Sequence, residues 1–353
     1  TSAPKTFVFS LIIVALMIGA VVGVYFEVNR YVAEIYFGKA VIDSGKGDNE
    51  AVINNLNQAT EFWGYDERYY QSLAQATFLR LNALLANKNI TQDAARAEFQ
   101  NITTNSITFV QKASSLNPRN PFNAALLGSI YENLIPFIGG ASDFALSSYG
   151  KAILLDPKNP FNYLALGRVY IARADLAILG KAYEEMNANL NKAGSNLEKA
   201  VEVKQDYAPA RFLLVQVYDR QGKLSEAVKR AEELVTLNNT DVGVLFQLGF
   251  LYYKAGNYDD SKAVFERTVE LSPNYSNARY FLGLIYDREN DKTKAIGQFQ
   301  KIAELNPDNA EIKQIIANLN AKKAALFGIA PPPPQQRIEA PISEKVPVQK
   351  LRK

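Results

Sequence analysis

The feature of this sequence that most constrains its fold is a pattern that recurs at an interval of 34 residues between positions 242 and 309. Each copy contains a Leu-Gly pair, a Tyr, a Phe and a Pro. The positions are Leu248, Gly249, Tyr252, Phe265 and Pro273 in one copy and Leu282, Gly283, Tyr286, Phe299 and Pro307 in the next. A repeat of this length is typical of a helical solenoid, whose helix pairs must stack on neighbours to bury their apolar faces. The period therefore predicts an all-α fold.

Further copies of the pattern lie upstream. A third unit begins at Ala208 and has Val215 in the place of the Gly. Two more units contain Leu127-Gly128 and Leu166-Gly167, and each begins with the same four residues, Asn-Pro-Phe-Asn, at 120–123 and 159–162. Five units thus carry the pattern jointly.

These residues resemble the tetratricopeptide repeat family, and the resemblance covers most of residues 33–327. It implies that the small residue after each Leu allows the two helices of a unit to approach closely, and that the Pro ends the second helix. The sequence departs from the family at Gln205 and Asn239, which stand where Pro is usual. The resemblance implies a solenoid, or superhelix, that binds other proteins rather than catalysing a reaction.

A run of apolar residues precedes the repeats. Residues 7–26 carry no charge and would span about 30 Å as a helix, which is the thickness of the hydrocarbon core of a bilayer. We interpret this run as one transmembrane helix that anchors the chain in a lipid bilayer. The alternative is a secretory signal peptide, with Lys5 as its basic flank and a weak cleavage site at 21–23.

The apolar run also raises the questions of self-association and orientation. Gly19 and Gly23 have the spacing that allows two membrane helices to pack closely, which would permit a homodimer through them. Glycine is frequent in membrane helices, however, and the favoured interpretation is that the two glycines form no contact between helices. Basic residues after the run would place the repeats in the cytoplasm if Thr1 were the natural start. Because the chain begins without Met, we expect it to be part of a longer protein. The architecture, a membrane helix followed by repeats, favours a repeat domain outside the cytoplasm.

Together, these features divide the chain into six segments. They are a flank at 1–6, the transmembrane helix at 7–26, a membrane-proximal helical region at 27–120 with degenerate units, repeats at 121–309 with starts near 121, 160, 208, 242 and 276, a capping helix at 310–327, and a Pro-rich basic tail at 328–353. The degenerate units begin near Ala33 and Glu67. The tail contains too few apolar residues to form a core and is predicted to be disordered, although it could also serve as a ligand for a Pro-binding domain or touch anionic lipid.

Composition excludes several functions. The chain has no Cys and no His, which removes the commonest metal ligands, nucleophiles and general bases. We therefore predict no catalytic site, no metal and no cofactor. The net charge of +3 equals that of residues 329–353, and basic and acidic side chains balance in the rest of the chain. Such a body has no basic field for a phosphate backbone, so nucleic acid is not an expected partner.

The family resemblance implies a groove lined by the first helix of each unit. Eighteen residues are predicted to face a bound protein or peptide there. They are Phe122, Ser129, Glu132, Phe161, Leu164, Arg168, Phe212, Gln216, Asp219, Arg220, Phe246, Phe250, Tyr253, Lys254, Tyr280, Leu284, Asp287 and Arg288. Arg168, Arg220 and Arg288 are preferred, since arginine has little packing reason to lie on such a surface. The aromatic residues could instead pack against the neighbouring helix.

Two functions remain open from the sequence. The first is a membrane-anchored scaffold whose concave solenoid face mediates protein–protein or protein–peptide interaction. The second is the non-catalytic C-terminal region of a multi-spanning enzyme that resembles bacterial O-antigen ligases and polymerases, in which the repeats would recruit an acceptor. The reading frame upstream of Thr1 distinguishes them, because further hydrophobic spans there would favour the enzyme.

Overall fold

The computed structural model describes residues 3–87 and 89–329, with side chains from Phe7 onward. Within these ranges the fold is all-α, without strands, as the repeat period predicts. The helices are α1 Ala3–Lys46, α2 Asn49–Phe62, α3 Glu67–Ala86, α4 Gln92–Leu116, α5 Pro121–Leu134, α6 Ala141–Leu155, α7 Pro160–Leu179, α8 Tyr183–Val203, α9 Ala208–Arg220, α10 Leu224–Leu237, α11 Val242–Ala255, α12 Tyr258–Leu271, α13 Ser276–Arg288, α14 Lys292–Leu305 and α15 Ala310–Asn320.

The helices form two compact units, Thr1–Arg173 and Ala174–Lys353. In the first unit, α1 packs against α2, α3 against α4 and α5 against α6, with Leu56, Ile102 and Tyr149 fully buried. In the second unit, α9 packs against α10, α11 against α12 and α13 against α14, and α15 packs on α14. Within each unit, successive pairs bury apolar residues against one another, as stacked helical repeats require.

Glycines in the first helix of three pairs are required by aromatic rings in the second helix. A Cβ atom on Gly283 would lie 2.6 Å from Cε2 of Phe299, and one on Gly249 would lie 2.7 Å from Cε1 of Phe265. Gly128 meets Tyr149 in the same way, at 2.9 Å. The rings occupy the space that a side chain would need, so the repeated glycine marks a close approach of the two helices in these three pairs.

A ladder of tyrosine–glutamate hydrogen bonds joins consecutive pairs in the second unit. The hydroxyls of three repeat tyrosines each donate to a carboxylate 20 residues earlier, at 2.7 Å, in Tyr218–Glu198, Tyr252–Glu232 and Tyr286–Glu266. Burial and the hydrogen bond to Glu198 raise the pKa of Tyr218 to about 12, so its hydroxyl stays protonated and donates at neutral pH. This ladder was not predicted from the sequence, although its tyrosines and its glutamates both recur at the 34-residue period.

Helix α1 is 44 residues long and continues without a break from the apolar run into the first helix pair. Its apolar residues are exposed up to Tyr31, and its first fully buried residue is Ala33, which packs with Ala59 and Tyr69. Helix α1 is long and apolar enough to cross a membrane, although a signal sequence near an N-terminus can have the same length and composition. The most apolar 18-residue stretch of α1 is not buried within the structure. The first helix pair is thus joined to the apolar run by helix rather than by a flexible linker.

The capping helix is shorter than the predicted range of 310–327. Helix α15 ends at Asn320, and Lys322 adopts a left-handed φ of 58°. The side-chain amide of Asn318 donates to the carbonyl oxygens of Ala325 and Phe327, at 3.0 and 2.7 Å, and these bonds hold the chain in a turn. The predicted disordered tail lies outside the described residues from position 330 onward, as do residues 1 and 2 of the flank.

Candidate functional site

A cavity of about 290 Å³ opens in the first unit beside α5 and the beginning of α7. Three residues of the predicted groove, Phe122, Ser129 and Phe161, line it. The complete lining is Gln75, Pro121, Phe122, Ala125, Leu126, Ser129, Asn159, Phe161 and Asn162. The cavity is therefore lined by residues of α3, of α5 and of the beginning of α7, which belong to three successive repeats. Its wall is mainly apolar.

The two Asn-Pro-Phe-Asn motifs build the rim of this cavity. The side chains of Asn120 and Asn159 accept hydrogen bonds from the backbone N–H groups of Phe122 and Phe161, at 2.9 and 3.0 Å, and so cap α5 and α7. Proline suits the first helical position because its missing N–H would have no partner there. Both phenylalanine rings remain exposed, at 46% and 39%. Each motif thus starts a helix and leaves an aromatic ring on the surface.

The last residues of the two motifs, Asn123 and Asn162, are both 1% exposed, yet their surroundings differ. The amide of Asn123 donates to Glu67 at 2.7 Å and accepts from Gln71 at 2.7 Å. In the described part of the chain, neither the nitrogen nor the oxygen of the Asn162 amide has a hydrogen-bond partner. A buried polar group without a partner costs free energy, so a native protein that retains one invites an explanation.

The repeat register explains this difference. With unit starts at 67 and 121, Pro121 and Ala125 occupy the positions that Glu67 and Gln71 have one unit earlier. Neither Pro121 nor Ala125 has a polar side chain, so the partners that satisfy Asn123 are replaced by apolar surface beside Asn162. Both residues line the cavity. Asn162 was not among the predicted site residues, although the loss of both polar partners is visible when the two units are aligned position by position.

A hydrogen-bonded network lies next to the cavity and unites two more predicted residues, Glu132 and Arg168. The guanidinium of Arg168 donates to both carboxylate oxygens of Glu132, at 2.6 and 3.0 Å, and the hydroxyl of Tyr149 donates to the same carboxylate at 2.6 Å. Arg168 also lies over the ring of Phe161, 5.5 Å from its centroid. Burial and the charge of Glu132 raise the pKa of Tyr149, so its hydroxyl remains a donor.

Removing the carboxylate of this network should destabilise the protein. Glu132→Gln is expected to lower the free energy of unfolding by about 1–3 kcal/mol, because a partly buried guanidinium and a buried hydroxyl lose their charged acceptor. Denaturant titration would measure the loss. The control is Glu270→Gln, which removes the exposed ion pair with Arg267 and should change stability by less than about 0.5 kcal/mol. Equal effects of the two substitutions would contradict the role of the network.

The three arginines preferred as binding groups have intramolecular contacts, contrary to the expectation that arginine has little packing reason to lie at these positions. Arg168 is held by Glu132, and Arg220 forms an ion pair with Asp175. Arg288 is exposed but lies over the ring of Tyr258, 4.1 Å from its centroid. Each guanidinium thus has an intramolecular partner, because ion pairing and stacking on a ring are packing roles that arginine fulfils well.

Other predicted groove residues also have structural contacts. The rings of Phe246, Phe250 and Tyr253 pack around Phe281 of the next pair, with centroids 6.1, 5.2 and 5.2 Å away. This is the packing alternative left open by the sequence. Asp219 and Asp287 form ion pairs with Lys254 and Lys292. Among the remaining positions, the half-buried ones are Phe212, Gln216 and Leu284.

Two predicted groove residues lie inside the protein. Leu164 is only 4% exposed and Tyr280 only 2% exposed. The ring of Tyr280 packs edge to face on Phe299, with centroids 5.7 Å apart, and its hydroxyl donates to Glu311 at 3.0 Å. Both side chains are turned into the helix packing, so neither offers a surface to a ligand.

Comparisons with known proteins agree with this architecture. Residues 246–310 match the model of a tetratricopeptide repeat family. The fold is similar to the crystal structure of a tetratricopeptide repeat protein from Parabacteroides merdae ATCC 43184, with a TM-score of 0.51 and 18% identity over 82% of this chain and 99% of that chain. The fold class is thus the tetratricopeptide repeat solenoid.

Two other solved structures align with lower TM-scores. YrrB, described as a TPR protein with an unusual peptide-binding site, aligns with a TM-score of 0.41 and 21% identity over 60% of this chain and 97% of its own. A thermophilic TPR protein of Thermus thermophilus aligns with a TM-score of 0.41 and 21% identity over 58% of this chain and 95% of its own. A comparison with curated proteins finds no match.

Proposed function

We propose that this chain is a membrane-anchored scaffold that binds a protein or peptide partner in the cavity beside α5 and α7. The observation that carries the proposal is the side-chain amide of Asn162, which is buried at the cavity without a hydrogen-bond partner among the described residues. The two exposed rings of Phe122 and Phe161 flank it. A partly polar pocket with aromatic walls is typical of a binding site.

The chemistry of the cavity favours an uncharged peptide segment. An amide side chain has both a donor and an acceptor, and a peptide group supplies the complementary pair once the cavity opens enough to expose the buried amide of Asn162. The apolar wall suits an apolar side chain next to that peptide group. A volume of about 290 Å³ lies at the lower end of the range for ligand pockets, so a short segment would enter rather than a folded domain. Because Glu132 neutralises Arg168, the rim has no free charge from this pair to select an acidic ligand.

Membrane anchoring is the second part of the proposal. It is supported by the exposure of the apolar residues at 7–26 and by their continuity with the first helix pair. We place the repeats outside the cytoplasm, and protease digestion of sealed cells tests this side. A dimer through Gly19 and Gly23, and the alternative of an O-antigen ligase-like enzyme upstream, stay predictions. The coding sequence before Thr1 tests the latter.

Selection and substitution together test the binding site. A library of random peptides displayed on phage would be selected on the intact chain in detergent, and the affinity of an enriched peptide would be measured by fluorescence anisotropy. Asn162→Ala is expected to weaken binding about tenfold or more, because a loss of about 1.4 kcal/mol matches the hydrogen bonds removed. The same substitution should leave the melting temperature unchanged or raise it, since it removes an unpaired buried amide.

The matched control lies on the same unit, away from the cavity. Leu154 is 85% exposed on α6, and Leu154→Ser should change neither affinity nor stability. Phe161→Ser should weaken binding as Asn162→Ala does. Unchanged affinity in both cavity variants would contradict the assignment, and a large loss of stability in Asn162→Ala would show that the amide serves the fold instead.

A further inference from the structure

An aromatic cluster lies where the apolar part of α1 ends. Phe26 on α1 contacts Trp63, which lies in the turn between α2 and α3, and each of these rings has a further aromatic neighbour, Tyr25 beside Phe26 and Tyr65 beside Trp63. The ring centroids of Phe26 and Trp63 are 6.1 Å apart, and those of Trp63 and Tyr65 are 5.2 Å apart. Tyr25 and Tyr65 are 63% and 72% exposed. Rings that are distant in sequence thus form one exposed group, which we call the aromatic cluster.

The packing of the first helix pair holds the turn in this place. Helix α2 packs against α1, and its last residue, Phe62, stacks on Tyr36 with centroids 5.7 Å apart. Below this contact, Ala33, Ala59 and Tyr69 form a small buried core on which Trp63 packs. The turn is therefore held beside α1 by buried contacts, and the position of Trp63 does not depend on its contact with Phe26 alone.

Charged side chains follow the aromatic cluster along α1. Arg68, at the start of α3, binds Glu34 and Asp66, and the hydroxyl of Tyr69 donates to Glu34 at 3.0 Å. Glu34 lies eight residues beyond Phe26, or about 12 Å along the helix. The order along α1 is therefore an apolar segment, aromatic rings and then bonded charges. Membrane proteins show the same order from the hydrocarbon through the headgroup region to water.

We propose that the turn between α2 and α3 is a second contact with the lipid bilayer, in which Trp63 and Tyr65 lie at headgroup level together with Tyr25 and Phe26. This inference rests on the proposed membrane anchoring through residues 7–26. Tyrosine and tryptophan suit this layer because each combines an apolar ring with a polar group. The contact holds the first helix pair against the membrane surface and restricts rotation about α1.

The single tryptophan of the chain, Trp63, makes a direct test possible. The intact protein is reconstituted into phosphatidylcholine vesicles that contain lipids brominated either near the headgroup or near the chain ends, and tryptophan emission is recorded. We expect a larger loss of emission with the bromines near the headgroup than with those near the chain ends. We also expect Trp63 emission in vesicles to lie at shorter wavelength than that of tryptophan in water.

A second chain separates this inference from the anchoring on which it rests. Trp63→Phe combined with Leu16→Trp places the only tryptophan in the middle of the apolar segment, where bromines near the chain ends should quench it most. If this tryptophan is quenched and Trp63 is quenched by neither lipid, the chain is anchored and the contact at the turn is refuted. If neither tryptophan is quenched, the anchoring itself fails.

Discussion

Arginine in place of both Leu16 and Met17 is expected to move the chain from the membrane fraction to the soluble fraction. These residues lie in the middle of the apolar segment and are 68% and 56% exposed within the structure. Each arginine at the centre of a membrane helix costs about 2.5–3.5 kcal/mol, so the pair costs roughly 5–7 kcal/mol even before the lost apolar side chains are included. Immunoblotting of carbonate-washed membranes measures the shift.

The control for this experiment places arginine on the exposed surface of the repeats. Leu154 and Leu179 are 85% and 81% exposed, and Leu154→Arg with Leu179→Arg should leave the membrane fraction unchanged. An unsubstituted chain found only in the soluble fraction would disprove the span. If mass spectrometry showed that the mature chain lacks residues 7–26, the signal-peptide alternative would be correct.

A single methyl group at Gly283 is expected to lower the free energy of unfolding by about 1–3 kcal/mol, because it overfills a packed core. The new Cβ would lie 2.6 Å from Cε2 of Phe299, whose ring is fully buried, so the ring or the backbone would have to shift. Gly297→Ala is the matched control, since no atom lies within 4 Å of its added Cβ. On helix propensity alone, Gly297→Ala should stabilise by about 0.5–1 kcal/mol. Denaturant titrations should therefore give opposite signs.

A double-mutant cycle identifies the ring of Phe299 as the cause. Phe299→Ala alone should cost about 3–5 kcal/mol, because it leaves a cavity in the core. In that background, Gly283→Ala should cost little or become favourable, since its methyl group enters the space that the ring vacated. If Gly283→Ala destabilised both backgrounds equally, the two positions would not be coupled, and another contact would have to explain the glycine.

The regular half of the chain was the easier part to predict. Helices α9, α11, α13 and α15 begin at Ala208, Val242, Ser276 and Ala310, which are successive steps of 34 residues. Such regularity can be predicted from the sequence because each repeat contacts mainly its neighbours, so the residues that pack recur at a fixed spacing. The residue at which α15 ends could not be predicted from the sequence, since it depends on hydrogen bonds from Asn318 to residues in the following turn.

The candidate site was predicted only in part. The sequence predicted that Phe122, Ser129 and Phe161 face a bound partner, and the structure brings all three to one cavity. It did not distinguish Asn162 from Asn123, because the two residues end identical motifs. The distinction lies in the preceding repeat, where a glutamate and a glutamine satisfy only Asn123.

The sequence by itself determined the all-α repeat fold and the exposed apolar segment, because both follow from periodic or continuous patterns of apolar residues along the chain. Only the tertiary structure decided which polar groups are paired. Arg168, Arg220 and Arg288 have partners on other helices, whereas the buried amide of Asn162 has none in the described ranges. A hydrogen bond requires atoms to meet within about 3 Å, and no pattern within one segment specifies which side chain a neighbouring helix will bring to that distance.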